Sequence, residues 1–352
     1  MAMTATARQA ARIAYPNMFD KWELRGTKYG LLDLAIQNAT MPQGIISNDL
    51  LTKAAQSWGQ TVEIPVMSPA LQANGTGLSC SFSGTEAISA LVNVTWVTIS
   101  NGFEMQPAKN FNNTIGYSAE FARKYTDSVR QMALAVDTAI DAALTTNITP
   151  AADYDSSYAG TLYPFTGNVL GVPLAARPDF FNNLVDVLAA DDLTAVPFDV
   201  VGSTNMRGIV KQLFAQGDAN DTNTAYQFQT GDFDFKFSNR VTLSALSDAT
   251  GFVMPKGSVA VLSRNSPDCL AGSVTTQGHA YSTMFEPVLG AEMDMLFYSA
   301  CADINAVSGN AADTSAMNEV HQMAVHYAIL TPYDLAGTDP SGVIRKFNLL
   351  TA

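Results

Sequence analysis

The chain has 352 residues, enough to bury a sizeable core and build two or three domains, yet only 14% are charged, against about 25% in an ordinary soluble protein. Net charge is −13 and uneven: residues 1–58 hold six Lys/Arg and four Asp/Glu, leaving 13 basic and 28 acidic residues for 59–352, so the arm stands at +2 and the rest at −15. An acidic body argues against phosphate-driven nucleic-acid binding, no run approaches the length of a transmembrane helix, and Cys80, Cys269 and Cys301 are too far apart for a CxxC or zinc pattern.

So little charge is expected where much surface is buried against other subunits, which points to an obligate oligomer. The N-terminus "MAMTATARQAARIAYP" has no apolar h-region, so no signal peptide is expected.

Residues 1–47 read as an extended arm with short helical turns, broken at Pro16, Gly26, Gly30, Pro42 and Gly44. Asn48-Asp49 can cap a short helix, "LLTKAAQSW". "TVEIPVM" (61–67) and "LVNVTWVTIS" (91–100) alternate β-branched and polar residues and read as the two strands of a long hairpin. Its far end is "GTGLSCSFSGTEA" (75–87), rich in glycine and serine.

From Tyr117 to Leu144 the period changes. Phe121, Tyr125, Val129, Met132, Val136, Ile140 and Leu144 recur at helical spacing with no Gly or Pro between them. Ser118 is the expected cap, and Glu120–Lys124 and Arg123–Asp127 are supporting pairs. Such a helix is a rod of roughly 42 Å.

Residues 151–176 read as loop-rich, and a helix is expected next with Pro178 at its first position. "VPFDVV" reads as a buried strand, and "GSTNMRGIVKQLFAQG" as a loop and helix capped by Ser203 or Thr204. In "GDFDFKFSNRVTLSAL" Phe233, Phe235 and Phe237 alternate with Asp232, Asp234 and Lys236, as in a strand with one face in water. "GFVMPKGSVAVLS" also reads as strand, and "GAEMDMLFYSACAD" and "NEVHQMAVHYAILTPY" as a second antiparallel pair.

The sequence carries almost no catalytic or ligand-binding motif. Ser79 has Gly77 before it but Ser81 where a nucleophile elbow needs glycine, and no Walker lysine follows. "VVGSTNMRG" (200–208) lacks both glycine fingerprints and reads as an ordinary βα junction. His321 and His326 are five apart, on opposite faces of a strand, and do not make a metal pair. Counted from Asp218, an EF-hand fails at Asn223 and Gln229. Catalytic, cofactor and metal residues are therefore expected to be none.

The order of elements resembles the major capsid protein of tailed bacteriophages, the Hong Kong ninety-seven phage fold. An arm leads to a long hairpin ("TVEIPVM" and "LVNVTWVTIS"), a single very long helix follows, then a mixed α/β block, then long antiparallel strands. The resemblance implies an α+β fold with an N-terminal arm at 1–58, an E-loop hairpin at 59–106 and a peripheral domain with spine helix at 107–159. An axial domain at 160–270 and peripheral-domain strands with the C-terminus at 271–352 complete it.

It further implies hexamers and pentamers in an icosahedral shell around double-stranded DNA, a virion protein assembled in the host cytoplasm, no cofactor and no membrane. Scaffolding, portal and decoration or cement proteins are its expected partners. Leu78, Cys80 and Phe82 at the E-loop tip and Arg8 and Arg12 in the arm are its expected intersubunit contacts. Some relatives cross-link the shell through an E-loop lysine; 59–106 contains none, so no such bond is expected. No fused scaffolding or cleaved pro-segment is expected either. The competing readings are an encapsulin-like compartment, a soluble serine hydrolase using Ser79 or Ser203, and a tail or decoration protein.

Overall fold

The computed structural model describes residues 29–39, 53, 58, 62–67, 89–107, 116–151, 162–190, 193, 197–215, 228–230, 233–275, 279–302, 316–331 and 342–351. They form an α+β fold around two sheets and a separate hairpin. The hairpin is β1 (Glu63–Met67) against β2 (Ser89–Asn93), in register from Glu63↔Asn93 to Met67↔Ser89.

An antiparallel five-stranded sheet holds β3 (Val97–Met105), β10 (Ala260–Arg264), β11 (Ala280–Glu286), β12 (Ala291–Ala302) and β13 (Ala316–Leu330). The 15-residue β13 is its spine: β12 and β10 pair with its two halves and β3 pairs with its middle. A seven-stranded mixed sheet runs β4 (Phe165–Thr166), β5 (Val169–Val172), β14 (Arg345–Leu350), β9 (Ser247–Pro255), β6 (Phe198–Ser203), β8 (Phe233–Ser238), β7 (Phe228–Thr230). β10 adds to the five-stranded sheet although it lies within 160–270, and β14 adds to the seven-stranded sheet although it lies within 271–352.

The periodic stretch is one helix, α2 (Tyr117–Thr146), about 45 Å long at 1.5 Å per residue. All seven residues of its apolar stripe are buried, packed with Met105, Met293, Met323, Val325 and Tyr327 of the five-stranded sheet. Ser118 does not cap it: the N-cap is Gly116, without a side-chain bond. Glu120 and Lys124 do pair, at 2.6 Å.

The arm reading is corrected at Gly30–Ala39, which is a core helix, α1, with Leu31, Leu32, Leu34 and Ala35 fully buried. Gly30 starts this helix rather than breaking a turn. A Cβ there would lie 2.4 Å from the carbonyl oxygen of Phe237, so only glycine lets the helix meet β8 so closely. Asp137, inside α2, accepts from Leu32 N at 2.8 Å and from Ser238 Oγ at 2.5 Å.

The half-solvated reading of β8 is also corrected. The strand lies parallel to β6 inside the sheet, and α1 packs on it, so Lys236 is 1% exposed. Lys236 Nζ donates to Gln37 Oε1 and lies 3.9 Å from Asp33, both on α1. The phenylalanine face enters a second core with Phe180, Phe181, Phe198 and Phe347.

The expected strand 91–100 is two strands, because the chain leaves β2 at Val94 and rejoins a ladder at Val97. Helix α3 (Phe180–Ala190) begins two residues after Pro178. Helix α4 (Thr204–Ala215) follows β6 without a loop, and Ser203 Oγ accepts from Thr250 N instead of capping.

Candidate interaction face

Leu78, Cys80, Phe82, Arg8 and Arg12 lie outside the described residues, as do Ser79 and the 218–229 stretch. What is described is the root of the hairpin that carries the tip. Val94 N donates to Val62 O at 2.9 Å, and both valines are buried on Ala260, Leu262, Ala328 and Leu330. These contacts join the hairpin to β10 and the end of β13.

Beside them the Arg264 guanidinium lies 4.2 Å from the Trp96 ring and 5.0 Å from that of Trp58. A weakly hydrated, planar cation over two indoles is a favourable stack. Trp58 in turn meets the His326 ring edge-on at 4.5 Å. His326 bridges the strands: Nδ1 is 2.7 Å from Thr98 Oγ1 on β3, and Nε2 is 3.2 Å from Asp294 Oδ2 on β12.

Asp294 also accepts from Asn265 Nδ2 and Ser266 N, each at 2.8 Å. Burial alone would raise its pKa, but the hydrogen bonds from His326, Asn265 and Ser266 outweigh that and hold the carboxyl below its usual range. Ser266 then caps α5 (Pro267–Ala271), accepting from Cys269 N. One network thus ties Trp58, β3, β10, β12 and β13 together at the hairpin root.

Chemically, hydroxyl, imidazole and carboxylate in a row form a proton relay. Here each member sits on a different strand of one sheet, and Asp294 is consumed by two further donors. The arrangement acts as a clip between strands. Its members are distant in sequence, and only the unlike faces of His321 and His326 were legible.

His321 does lie on the opposite face, buried among Phe103, Phe121 and Phe297 at centroid distances of 5.1, 5.2 and 4.9 Å. Burial lowers its pKa, against the opposing pull of Glu319. Among the described residues, no three His, Cys, Asp or Glu side chains gather as a metal site, and no helix is long and apolar enough to cross a membrane.

The remaining face of the five-stranded sheet, away from α2, carries half-exposed Tyr281, Leu296 and Tyr298 and the 57% exposed Phe285.

No family model matches the chain, and no curated protein matches it. Among solved structures it is similar to a chain of Mycobacterium phage Che8, at 12% identity and a TM-score of 0.47, covering 87% of this chain and 91% of that one. A chain of Mycobacterium phage Bobi gives 10% identity and 0.45, covering 88% and 93%. A chain from the mature capsid of bacteriophage PhiM1 gives 11% and 0.43, covering 88% and 89%.

Proposed function

We propose that this chain is a shell-forming subunit, the major capsid protein of a tailed bacteriophage. The observation that carries the proposal is the hairpin. Among the described residues β1 and β2 form a ladder only with each other, while their root is fixed to the body. An isolated two-stranded ribbon is marginal in water and needs a surface to lie on. A neighbouring copy supplies that surface. The tip residues Leu78 and Phe82 are its apolar anchors, and the serines around Cys80 its adaptable hydrogen-bonders.

The long helix lies on the five-stranded sheet, and Asp137 ties it to α1 and to β8 of the seven-stranded sheet, so one body carries the hairpin. Hexamers and pentamers of such subunits close an icosahedral shell. The acidic body encloses double-stranded DNA at a distance and without sequence preference, as a virion component rather than an enzyme. Assembly in the host cytoplasm uses scaffolding, portal and decoration or cement proteins. No lysine lies in 59–106, so the shell is held without a lysine cross-link from the hairpin.

Size-exclusion chromatography followed by nuclease treatment tests the reading. A megadalton peak with nuclease-protected DNA is expected from phage-infected cells. A megadalton peak loaded with protein cargo and no DNA would replace the capsid with an encapsulin-like compartment. A small, hydrolytically active oligomer would overturn the shell altogether.

A further inference from the structure

Asn38, near the end of α1, and Asp199, on β6 between β8 and β9, are 1% and 0% exposed. Asn38 Nδ2 donates to Asp199 Oδ2 at 3.2 Å. The other oxygen of each group, Asn38 Oδ1 and Asp199 Oδ1, is buried and meets no donor among the described residues. A buried acceptor left bare costs its full desolvation. When an amide and a carboxyl meet edge to edge through one N–H···O bond, their remaining oxygens come side by side, and one proton between them satisfies both.

The two ammonium groups that act on Asp199, Lys236 and Lys256, are each seated on another carboxylate. From β8, Lys236 lies 3.9 Å from Asp33 of α1 and donates to Gln37. From just after β9, Lys256 donates to Asp234 of β8 at 3.1 Å. With Asp199 ionised, three buried or half-buried carboxylates face two ammonium groups; with Asp199 neutral the charges balance. Burial raises the Asp199 pKa, Lys236 and the bond from Asn38 oppose it, Asp234 adds to the rise, and Lys256 opposes it again.

We infer that Asp199 is a carboxylic acid in the folded subunit and that its Oδ1–H donates to Asn38 Oδ1, closing a two-bond acid–amide ring that latches α1 to β6. Only a protonated carboxyl has an O–H to give. Ionisation removes that donor and leaves two bare acceptors in the core. The latch is therefore fully closed below the unfolded pKa and opens as pH rises through the raised folded one. Asp137 already holds the start of α1 through Leu32 N, so the helix is fastened at both ends by a buried carboxyl. The latch belongs to the single subunit and does not depend on the shell reading.

Infrared spectroscopy of the purified full chain at pH 8 tests it, because ionised carboxylates lack the carbonyl stretch of a protonated carboxyl. Asp137, whose carboxyl titrates at about 6, is ionised at that pH. The band is expected in the wild type and in Asp137→Asn, and lost in Asp199→Asn, whose amide still makes both bonds with Asn38. Amide exchange along α1 should then quicken in the wild type relative to Asp199→Asn, by about tenfold for each pH unit above the folded pKa. A wild type without the band, or a band equally strong in Asp199→Asn, overturns the inference. A lost band with equal α1 exchange in both chains at every pH overturns the latch. If Asp199→Asn does not fold, heavy-carbon labelling of the aspartate carboxyls in Asp137→Asn decides: an isotope-shifted band at pH 8 supports the acid, and no such band overturns it.

Discussion

Asp137, in the middle of the long helix, accepts the backbone N–H of Leu32 at 2.8 Å, so a carboxylate from one helix caps the start of another 105 residues away. Its second oxygen takes the hydroxyl of Ser238 at the end of β8. One side chain therefore joins α1, α2 and the seven-stranded sheet.

Burial pushes the Asp137 carboxyl up to about 6, against the pull of its hydrogen bonds to Ser238, Leu32 and Leu31. The folded state thus holds its proton more tightly than the unfolded chain. This contribution to stability is fully present below the unfolded pKa, near 4, and is lost as pH rises through 6; the span amounts to about 3 kcal/mol. Asp137→Asn keeps an acceptor for Leu32 and cannot ionise. It should flatten the pH dependence of subunit unfolding between pH 4 and 7, measured by urea denaturation. Asp137→Ala should destabilise at every pH.

Asp294 behaves with the opposite sign. Its depressed pKa means stability present at neutral pH and lost as pH falls through the folded value. Asp294→Ala takes the acceptor from His326 and Ser266 and leaves Asn265 only its longer bond to Glu292 O, a loss of about 3 kcal/mol at pH 7 that shrinks in acid. Thermal melts at two pH values check this.

The glycines divide sharply. Gly30→Ala drives a Cβ into the backbone of Phe237 and should cost several kcal/mol or prevent folding. Gly208→Ala, on α4 with open space around it, should stabilise by about 0.5–1 kcal/mol. Differential scanning calorimetry of the two variants is sufficient.

Arg264→Lys keeps the charge and loses the planar stack on Trp96 and Trp58, at a cost of about 0.5–1 kcal/mol. The local consequence is faster hydrogen exchange at Val94, whose N–H holds Val62 at the hairpin root. Unchanged exchange there would remove the stack from the account of how the root is fixed.

Phe82→Asp should leave the subunit folded, with an unaltered circular dichroism spectrum, and stop particle formation. Normal particles from this variant would remove Phe82 as an anchor of the tip.

Local pattern and long-range pairing were unequally legible. The long helix could be read because seven large apolar residues kept one period over 24 positions, from Phe121 to Leu144, and β12 and β13 because two strand-like runs are joined by a polar loop. Lys236 was misread, since alternation with Phe235 and Phe237 looks the same whether the polar face meets water or, as here, a helix bearing Asp33 and Gln37. α1 was missed because Gly30 reads locally as a breaker, while its role is a close approach to Phe237. β5 and β14 are short and become strands only by pairing with each other and with β9. The Thr98–His326–Asp294 clip draws on three strands and had no sequence signal beyond the odd spacing of its histidine from His321.

Cryo-electron microscopy of the purified particles decides whether the hairpin bridges subunits. Closed shells of hexamers and pentamers are expected, in which the hairpin of each subunit, from Glu63 to Asn93, lies on an adjacent copy. A discrete small oligomer, or a shell in which the hairpin folds back on its own subunit, would contradict it.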